Sequence, residues 1–297
     1  MRNSNNKNSF AVFGLLFGAL CWGIIWYPYR LMAEAGISGV ASSFYTYCIA
    51  AVIAGIYFCK HWRGLFAQPK SIFWLSLAAG WTNLSYVLAV IDGEVMRVML
   101  LFYLSPLWTL LLARFWLKEP ITQIGFISIV IALIGAYIML GGPLSEMTRH
   151  LPVPRNTAEW LALSSGMGFS LTNVITRKSS HLSLCAKSFA VWFGVIGVAL
   201  IFSPFLGGEF PAPSFFSAYH WLVMGLIALL LMTATLLVQF GLTQLTAIRA
   251  SVLFLFELVV AAIASYYLAQ ESMTLNEWIG GSLIVMAALI AALNHKE

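Results

Sequence analysis

The sequence predicts an all-α integral membrane protein of ten transmembrane helices arranged as two inverted five-helix repeats. Two observations predict this fold: apolar segments follow one another along the chain, and the second half of the chain resembles the first. Hydrophobic residues make up 61% of the 297 residues and charged residues only 9%, whereas soluble domains carry about 25% charged residues. A soluble globule of this composition would precipitate, so nearly the whole chain belongs in the membrane.

Ten segments have the length and composition of a membrane span, which needs about twenty mostly apolar residues. The first five are residues 10–33, 41–59, 71–90, 98–116 and 121–140. The second five are residues 158–175, 188–206, 221–242, 250–268 and 277–293. The breaks are too short for a separate soluble domain. We therefore treat residues 1–297 as one membrane domain, with repeats at 10–142 and 158–294.

The basic residues predict how the chain is oriented. With the N-terminus in the cytoplasm, twelve of the sixteen Lys and Arg residues fall on the cytoplasmic side. The other four are Arg30, Arg97, Arg149 and Arg155. This positive-inside bias favours N- and C-termini in the cytoplasm. Short loops and the lack of a transit peptide favour a bacterial inner (plasma) membrane.

An internal repeat is visible when the second half is placed on the first at an offset of 152 residues (249 − 97). The identical pairs are Arg97 and Arg249, Leu101 and Leu253, Phe102 and Phe254, Glu119 and Glu271, and Thr122 and Thr274. Because each half has an odd number of spans, the second half enters the membrane from the opposite side. Inverted repeats of this kind place a substrate site near the midplane, between the halves.

Three groups of short motifs resemble a known family. They are Cys21-Trp22-Gly23; Leu104-Ser105-Pro106-Leu107 with Lys118-Glu119-Pro120; and Phe256-Glu257-Leu258 with Gln270-Glu271. These motifs resemble the EamA-type transporters of the drug/metabolite transporter superfamily over essentially the whole chain. The resemblance implies two inverted five-span repeats and a cavity lined by spans one, three, four, six, eight and nine. It also implies export or import of small metabolites such as amino acids.

Glu257 is the clearest charged group at membrane depth. It lies seven residues into span nine, about 10 Å from the start of the span, where a charge costs about 3 kcal/mol. One interpretation is a cavity carboxylate that binds a substrate ammonium group or carries a proton. The other is a glutamate that bonds a neighbouring helix and has no role in transport.

Other polar and aromatic residues share helix faces at the same depth. Trp22 and Trp26 lie four residues apart on one face of span one, either as a surface for an aromatic or cationic substrate or as interfacial aromatics. Polar residues recur on one face of span six, which indicates cavity lining or helix packing. The predicted substrate-binding residues are Trp22, Trp26, Asn83, Tyr86, Ser105, Trp108, Ser170, Asn173, Gln239 and Glu257. Glu257 is also the predicted proton-coupling residue.

Several function classes are disfavoured. The sequence has no HExxH, GxSxG or P-loop motif, so it predicts no enzyme, no cofactor and no metal site. Scattered basic residues argue against nucleic-acid binding. Gly14 and Gly18 form one GxxxG motif, which indicates helix packing or a homodimer face.

The combined prediction is a secondary transporter that moves a small amphipathic metabolite by alternating access, with amino-acid export as the expected activity. Its partners are a small-molecule substrate, the lipid bilayer and, for coupled transport, a proton. Transport is driven either by the substrate gradient or by proton exchange through Glu257. A non-transporting membrane assembly factor or sensor is the alternative.

Overall fold

Helices occupy most of the chain in the computed structural model, which describes residues 2–58, 68–117, 123–139, 154–179, 181–206, 209–245, 250, 253–254 and 256–293. In the first half the helices are α1 (Arg2–Glu34), α2 (Gly39–Phe58), α3 (Pro69–Asp92), α4 (Val95–Phe102), α5 (Ser105–Leu112) and α6 (Gln123–Met139). In the second half they are α7 (Thr157–Lys178), α8 (Leu184–Phe202), α9 (Ala218–Gln244), α10 (Phe256–Ala264) and α11 (Leu275–Leu293). Of the residues named in the sequence analysis, Lys118, Glu119, Pro120, Thr122, Arg149 and Arg249 lie outside the described residues.

Six of the described helical stretches are long and apolar enough to cross a membrane. They are Asn8–Glu34, Gly39–Ile56, Pro69–Asp92, Val95–Trp116, Leu184–Phe202 and Ala218–Gln244. Two shorter apolar helices, Phe126–Gly135 and Phe256–Ala269, coincide with two further predicted spans. Helices α7 and α11 lie at the remaining two positions. The all-α multi-span fold is confirmed, while the count of ten transmembrane helices stays a prediction.

Polar residues and glycine define the helix ends. Pro69 occupies the first position of α3, where its missing N–H would be unpaired in any case. The Asn156 side chain caps α7 by accepting a hydrogen bond from the Glu159 amide at 2.8 Å, and the Ser183 side chain caps α8 in the same way. Between α1 and α2, Gly36 has a φ of 81°, which permits a tight turn without the strain that a Cβ would introduce.

Both halves have the same local distortion at equivalent positions. Span four is interrupted between α4 and α5, directly before Pro106, which has no N–H to continue the helical ladder. A π-helical segment follows α5 at Ala113–Leu117. A second π-helical segment follows α10 at Ser265–Ala269. The two segments are 152 residues apart (265 − 113), the same offset as the sequence repeat.

Helices of one half pack directly on helices of the other. The contacts join α1 with α9 and α10, α3 with α7 and α8, and α6 with α11. Glycines permit this close approach: a Cβ added at Gly14 would lie 2.8 Å from the Leu237 carbonyl oxygen, and one at Gly18 would collide with Val238. The GxxxG pair therefore packs against α9 of the same chain, which leaves the homodimer without support from this motif.

The two ends of the bundle carry opposite charge. The end where α1 and α3 finish, here called the acidic end, carries the described residues Glu34, Asp92, Glu94, Glu159, Glu209, Glu271 and Glu277, together with Arg30, Arg97 and Arg155. The end where α7 and α9 finish, here called the basic end, carries the described residues Lys70, Arg114, Arg177, Lys178 and Lys187. This separation of charge agrees with the positive-inside bias if the basic end faces the cytoplasm.

At the acidic end, two arginines connect the halves. The Arg30 guanidinium donates to the Val90 carbonyl at 2.7 Å and to the Gly93 carbonyl at 2.6 Å, and it forms an ion pair with Glu271 at 3.0 Å. Arg97 forms an ion pair with Glu159 at 2.7 Å. Because Glu159 and Glu271 belong to the second half, these contacts hold the halves together at this end.

Candidate functional site

A cavity with a volume of about 60 Å³ lies between the two halves and is partly open to solvent. The first half contributes Trp22, Tyr47, Ala79, Thr82, Asn83, Tyr86 and Phe102 to its wall. The second half contributes Phe169, Thr172, Asn173, Val191, Thr235, Val238, Gln239, Leu242 and Glu257. Tyr47 belongs to α2 and Val191 to α8, so helices from spans two and seven join the six spans that the family resemblance implies.

Aromatic rings form one part of the cavity wall. The Trp22 ring lies 5.5 Å from the Phe254 ring and 6.1 Å from the Phe169 ring, measured between centroids. Phe102 lies 5.2 Å from Phe169 and 5.5 Å from Tyr86. Aromatic rings in tilted and edge-to-face arrangements at these distances stabilise one another. The wall therefore presents ring faces and edges to an occupant.

Glu257 is buried at the edge of this aromatic wall, with 2% of its surface exposed. Its Oε2 atom lies 2.6 Å from the Tyr103 hydroxyl oxygen. The same hydroxyl oxygen lies 2.5 Å from the Phe254 carbonyl oxygen. A phenol has a single proton to donate, so the Tyr103 hydroxyl donates either to the Glu257 carboxyl or to the Phe254 carbonyl.

The other polar side chains on the wall fall into two groups. The first group is paired: Tyr47 donates to Asn83 at 2.6 Å, Asn83 donates to the Ala79 carbonyl at 2.9 Å, and Thr172 donates to the Gly168 carbonyl at 2.9 Å. The second group is open, because both polar atoms of the Asn173 side chain and the Gln239 Oε1 atom are buried without a hydrogen-bond partner among the described residues. These atoms are available to a ligand.

Six of the ten predicted substrate-binding residues are brought together by the fold. Trp22, Asn83, Tyr86, Asn173, Gln239 and Glu257 line the one cavity. They come from α1, α3, α7, α9 and α10. Contact of these residues with a substrate stays a prediction.

The other four predicted residues lie away from this wall. The Trp26 indole donates to the Gly23 carbonyl at 3.0 Å and lies under the Arg30 guanidinium, 5.2 Å from its carbon. The Ser170 hydroxyl donates to the Ser105 carbonyl at 2.6 Å, which joins α7 to α5. Trp108 is half-buried against the main apolar core. The structure therefore places these four in helix contacts, where each polar or aromatic group packs against its own or a neighbouring helix.

Several residues on or next to the cavity wall were not among the predicted site residues. Tyr103 directly precedes the Leu104-Ser105-Pro106 motif, so its position at a proline-broken helix was the available signal. Phe169 lies in the polar stretch of span six, between Gly168 and Ser170. For Tyr47 the available signal was the group of polar residues that precede it in span two, Ser42, Ser43, Tyr45 and Thr46.

The fold and the cavity define a multi-span membrane protein built from two repeats with a site between them, which is the architecture of many secondary transporters. Comparison with known families is consistent with this class, since residues 9–141 and 156–293 match the EamA-like transporter family. The chain belongs to that family, which identifies it as a transporter of the drug/metabolite transporter superfamily.

The proteins that resemble this chain over most of its length include a curated relative and a solved structure. An uncharacterized transporter of Archaeoglobus fulgidus is 24% identical over 246 residues, which cover 80% of this chain and 82% of that protein. A solved crystal structure of a protein matches with a TM-score of 0.64 and 14% identity, covering 96% of this chain and 97% of that chain. The second similarity concerns the fold alone.

Proposed function

We propose that this protein exports a small amphipathic metabolite that carries an ammonium group, an amino acid being the best candidate, in exchange for protons. The observation that carries the proposal is the buried Glu257 carboxyl, held by Tyr103 on the wall of a cavity between the two halves. A carboxyl group in this position binds either a proton or a cation. Aromatic faces beside it stabilise an ammonium group through cation–π contact.

The exchange proceeds through alternate occupancy of Glu257. When the substrate ammonium binds, the carboxyl releases its proton to water and pairs as a carboxylate with the cation. When the substrate leaves on the other side, the carboxylate takes a proton from water. One proton therefore moves inward for each substrate that moves outward, with charge conserved at the site.

The charge at the two ends of the bundle supports one membrane orientation. The basic end faces the cytoplasm and the acidic end faces outward, with both termini inside, in a bacterial inner membrane. In this orientation the ion pair of Arg30 and Glu271 lies on the outer side. Alternating access requires the contacts at each end to break in turn as the halves rock about the central cavity.

Counterflow in liposomes tests this function. Purified protein is reconstituted, and exchange of a panel of labelled amino acids is measured with and without an imposed pH gradient. We expect saturable counterflow that the gradient accelerates in the wild type. Glu257→Gln retains the shape of the side chain but neither titrates nor pairs with a cation as a carboxylate, so its flux no longer responds to the gradient.

The matched control is Glu209→Gln, which makes the same chemical change at an exposed residue on the acidic end. It should behave like the wild type. Equal gradient-accelerated flux in wild type and Glu257→Gln would contradict the role of Glu257. A wild type that moves no amino acid and no other class of small metabolite would favour the assembly-factor or sensor alternative.

A further inference from the structure

The open amides on the cavity wall belong to Asn173 and Gln239. Asn173 is 1% exposed and Gln239 is 2% exposed. The Oδ1 and Nδ2 atoms of Asn173 and the Oε1 atom of Gln239 have no partner, and within the described part of the chain no other wall residue has such a buried unpaired side-chain atom. Buried polar groups are nearly always hydrogen-bonded, and these open atoms lie on a cavity wall, where a ligand can reach them.

The two amides lie at the same depth in the bundle. Helices α7 and α9 run in the same direction, and near their ends Arg177 donates to the Thr243 carbonyl at 3.3 Å. Asn173 and Gln239 each lie four residues before that contact, which is one helical turn or about 6 Å along the axis. Both side chains line the same cavity.

The open atoms comprise two acceptors and one donor. The acceptors are Asn173 Oδ1 and Gln239 Oε1, and the donor is Asn173 Nδ2. Exchange of the two terminal atoms of Asn173 leaves this set unchanged. A primary carboxamide offers the complementary set, because its NH₂ group donates two hydrogen bonds and its carbonyl oxygen accepts.

Other common groups match less well. A carboxylate has no donor, so it leaves the two acceptors unpaired. An ammonium group has no acceptor and leaves Asn173 Nδ2 unpaired. An apolar chain leaves all three atoms unpaired, and each buried unpaired atom weakens binding.

Glu257 lies at a different depth from Asn173 and Gln239, so one molecule can contact the carboxyl group at one end and the two amides at the other. A Cβ at Gly18 of α1 would meet Val238, the neighbour of Gln239, whereas a Cβ at Gly23 would meet the Glu257 carbonyl. Five residues separate these glycines, or about 7.5 Å along the helix. A short aliphatic chain spans the interval between an ammonium group beside Glu257 and a second group beside the two amides.

We propose that Asn173 and Gln239 form an amide clamp, which selects substrates that carry a primary carboxamide group in addition to the ammonium group. Amino acids with a carboxamide side chain are the simplest members of this class. The proposal rests on the proposed function, because it assigns the specificity of the same cavity.

Competition in the counterflow assay tests the clamp. Labelled glutamine is the transported probe, and unlabelled glutamate and norleucine are competitors of similar length. In the wild type we expect unlabelled glutamine to compete at least about tenfold more effectively than glutamate or norleucine. Asn173→Leu keeps a similar volume and removes the amide. It should therefore weaken competition by glutamine about tenfold relative to competition by norleucine, while norleucine transport continues.

Thr233→Val is the control, because Thr233 is exposed on α9 and its hydroxyl donates only to the Leu229 carbonyl of its own helix among the described contacts. It should keep the wild-type preference. Equal competition by glutamine, glutamate and norleucine in the wild type would overturn the clamp and leave the transport function standing. An equal loss of glutamine and norleucine transport in Asn173→Leu would overturn it as well.

A binding measurement separates the two proposals when no flux is found. In that case the proposed function fails, and thermal unfolding in detergent with added glutamine decides on the clamp. Stabilisation of the wild type by glutamine that is absent in Asn173→Leu would support the clamp as a binding site. No difference between the two proteins would overturn it.

Discussion

Gly23 of the Trp22-Gly23 pair marks a close approach between the halves, and an added methyl group there should weaken both stability and transport. A Cβ at Gly23 would lie 2.8 Å from the Val260 Cβ and Cγ1 atoms and 3.0 Å from the Glu257 carbonyl oxygen. Ordinary contacts begin at 3.4 Å. Helices α1 and α10 must therefore move apart by about 0.6 Å (3.4 − 2.8), which displaces the helix that carries Glu257.

The energetic cost follows from overpacking. Inserting a methyl group into a well-packed contact destabilises a protein by about 1–3 kcal/mol. Replacing glycine by alanine in a helix stabilises it by up to about 1 kcal/mol. A net loss of about 1–2 kcal/mol lowers Tm by about 2–8 °C in a chain of this size. Thermal unfolding of Gly23→Ala in detergent measures this change, and counterflow measures the accompanying loss of transport.

Gly225→Ala is the matched control. Among the described residues, nothing lies within 4 Å of a Cβ added at Gly225, and Gly225 is in the long helix α9. This variant should be as stable as the wild type or slightly more stable. A Gly23→Ala protein with the Tm and transport rate of Gly225→Ala would refute the reasoning, because the added methyl group would then have found space.

Two further predictions concern the ends of the bundle. In a cysteine-free background, Asp92→Cys should react with a membrane-impermeant maleimide in intact cells, whereas Lys70→Cys should react only after permeabilisation; the reverse pattern would overturn the proposed orientation. Arg30→Ala removes two hydrogen bonds to carbonyls and leaves Glu271, 20% exposed, without its cation, so it should cost about 1–3 kcal/mol of stability. Lys70→Ala, an exposed change, should cost nothing measurable, and an equally small effect of Arg30→Ala would contradict the bridging role of Arg30.

Much of the fold is predictable from the sequence, because span length and apolar composition follow directly from the thickness of the bilayer. The break in span four is also predictable from Pro106, which lacks the N–H that the helical ladder requires. The six long apolar helical stretches and the two-repeat architecture agree with the sequence prediction. The remaining spans are harder to assign. Helix α7, for example, has 22 residues but carries Glu159, Arg177 and Lys178 near its ends.

The site is predictable only in part, because helical periodicity gives the residues that share a face but not the neighbour that the face meets. Ser170 and Asn173 belong to one polar stripe, yet Ser170 bonds to the Ser105 carbonyl while Asn173 lines the cavity. Trp26 illustrates the same limit, since its indole bonds within α1. Tyr103 contacts Glu257 across 154 positions of sequence. Such a pairing depends on tertiary packing and has no local signal.

The coupling of substrate and proton movement at Glu257 is tested most directly with a pH-sensitive dye enclosed in proteoliposomes. Substrate is loaded inside, and its outward movement is started by dilution. The wild type should bring protons into the lumen as substrate leaves, at one proton per substrate molecule, whereas Glu257→Gln should show no substrate-dependent pH change. Substrate efflux by the wild type without any change in luminal pH, or an equal pH change in both proteins, would contradict proton exchange through Glu257.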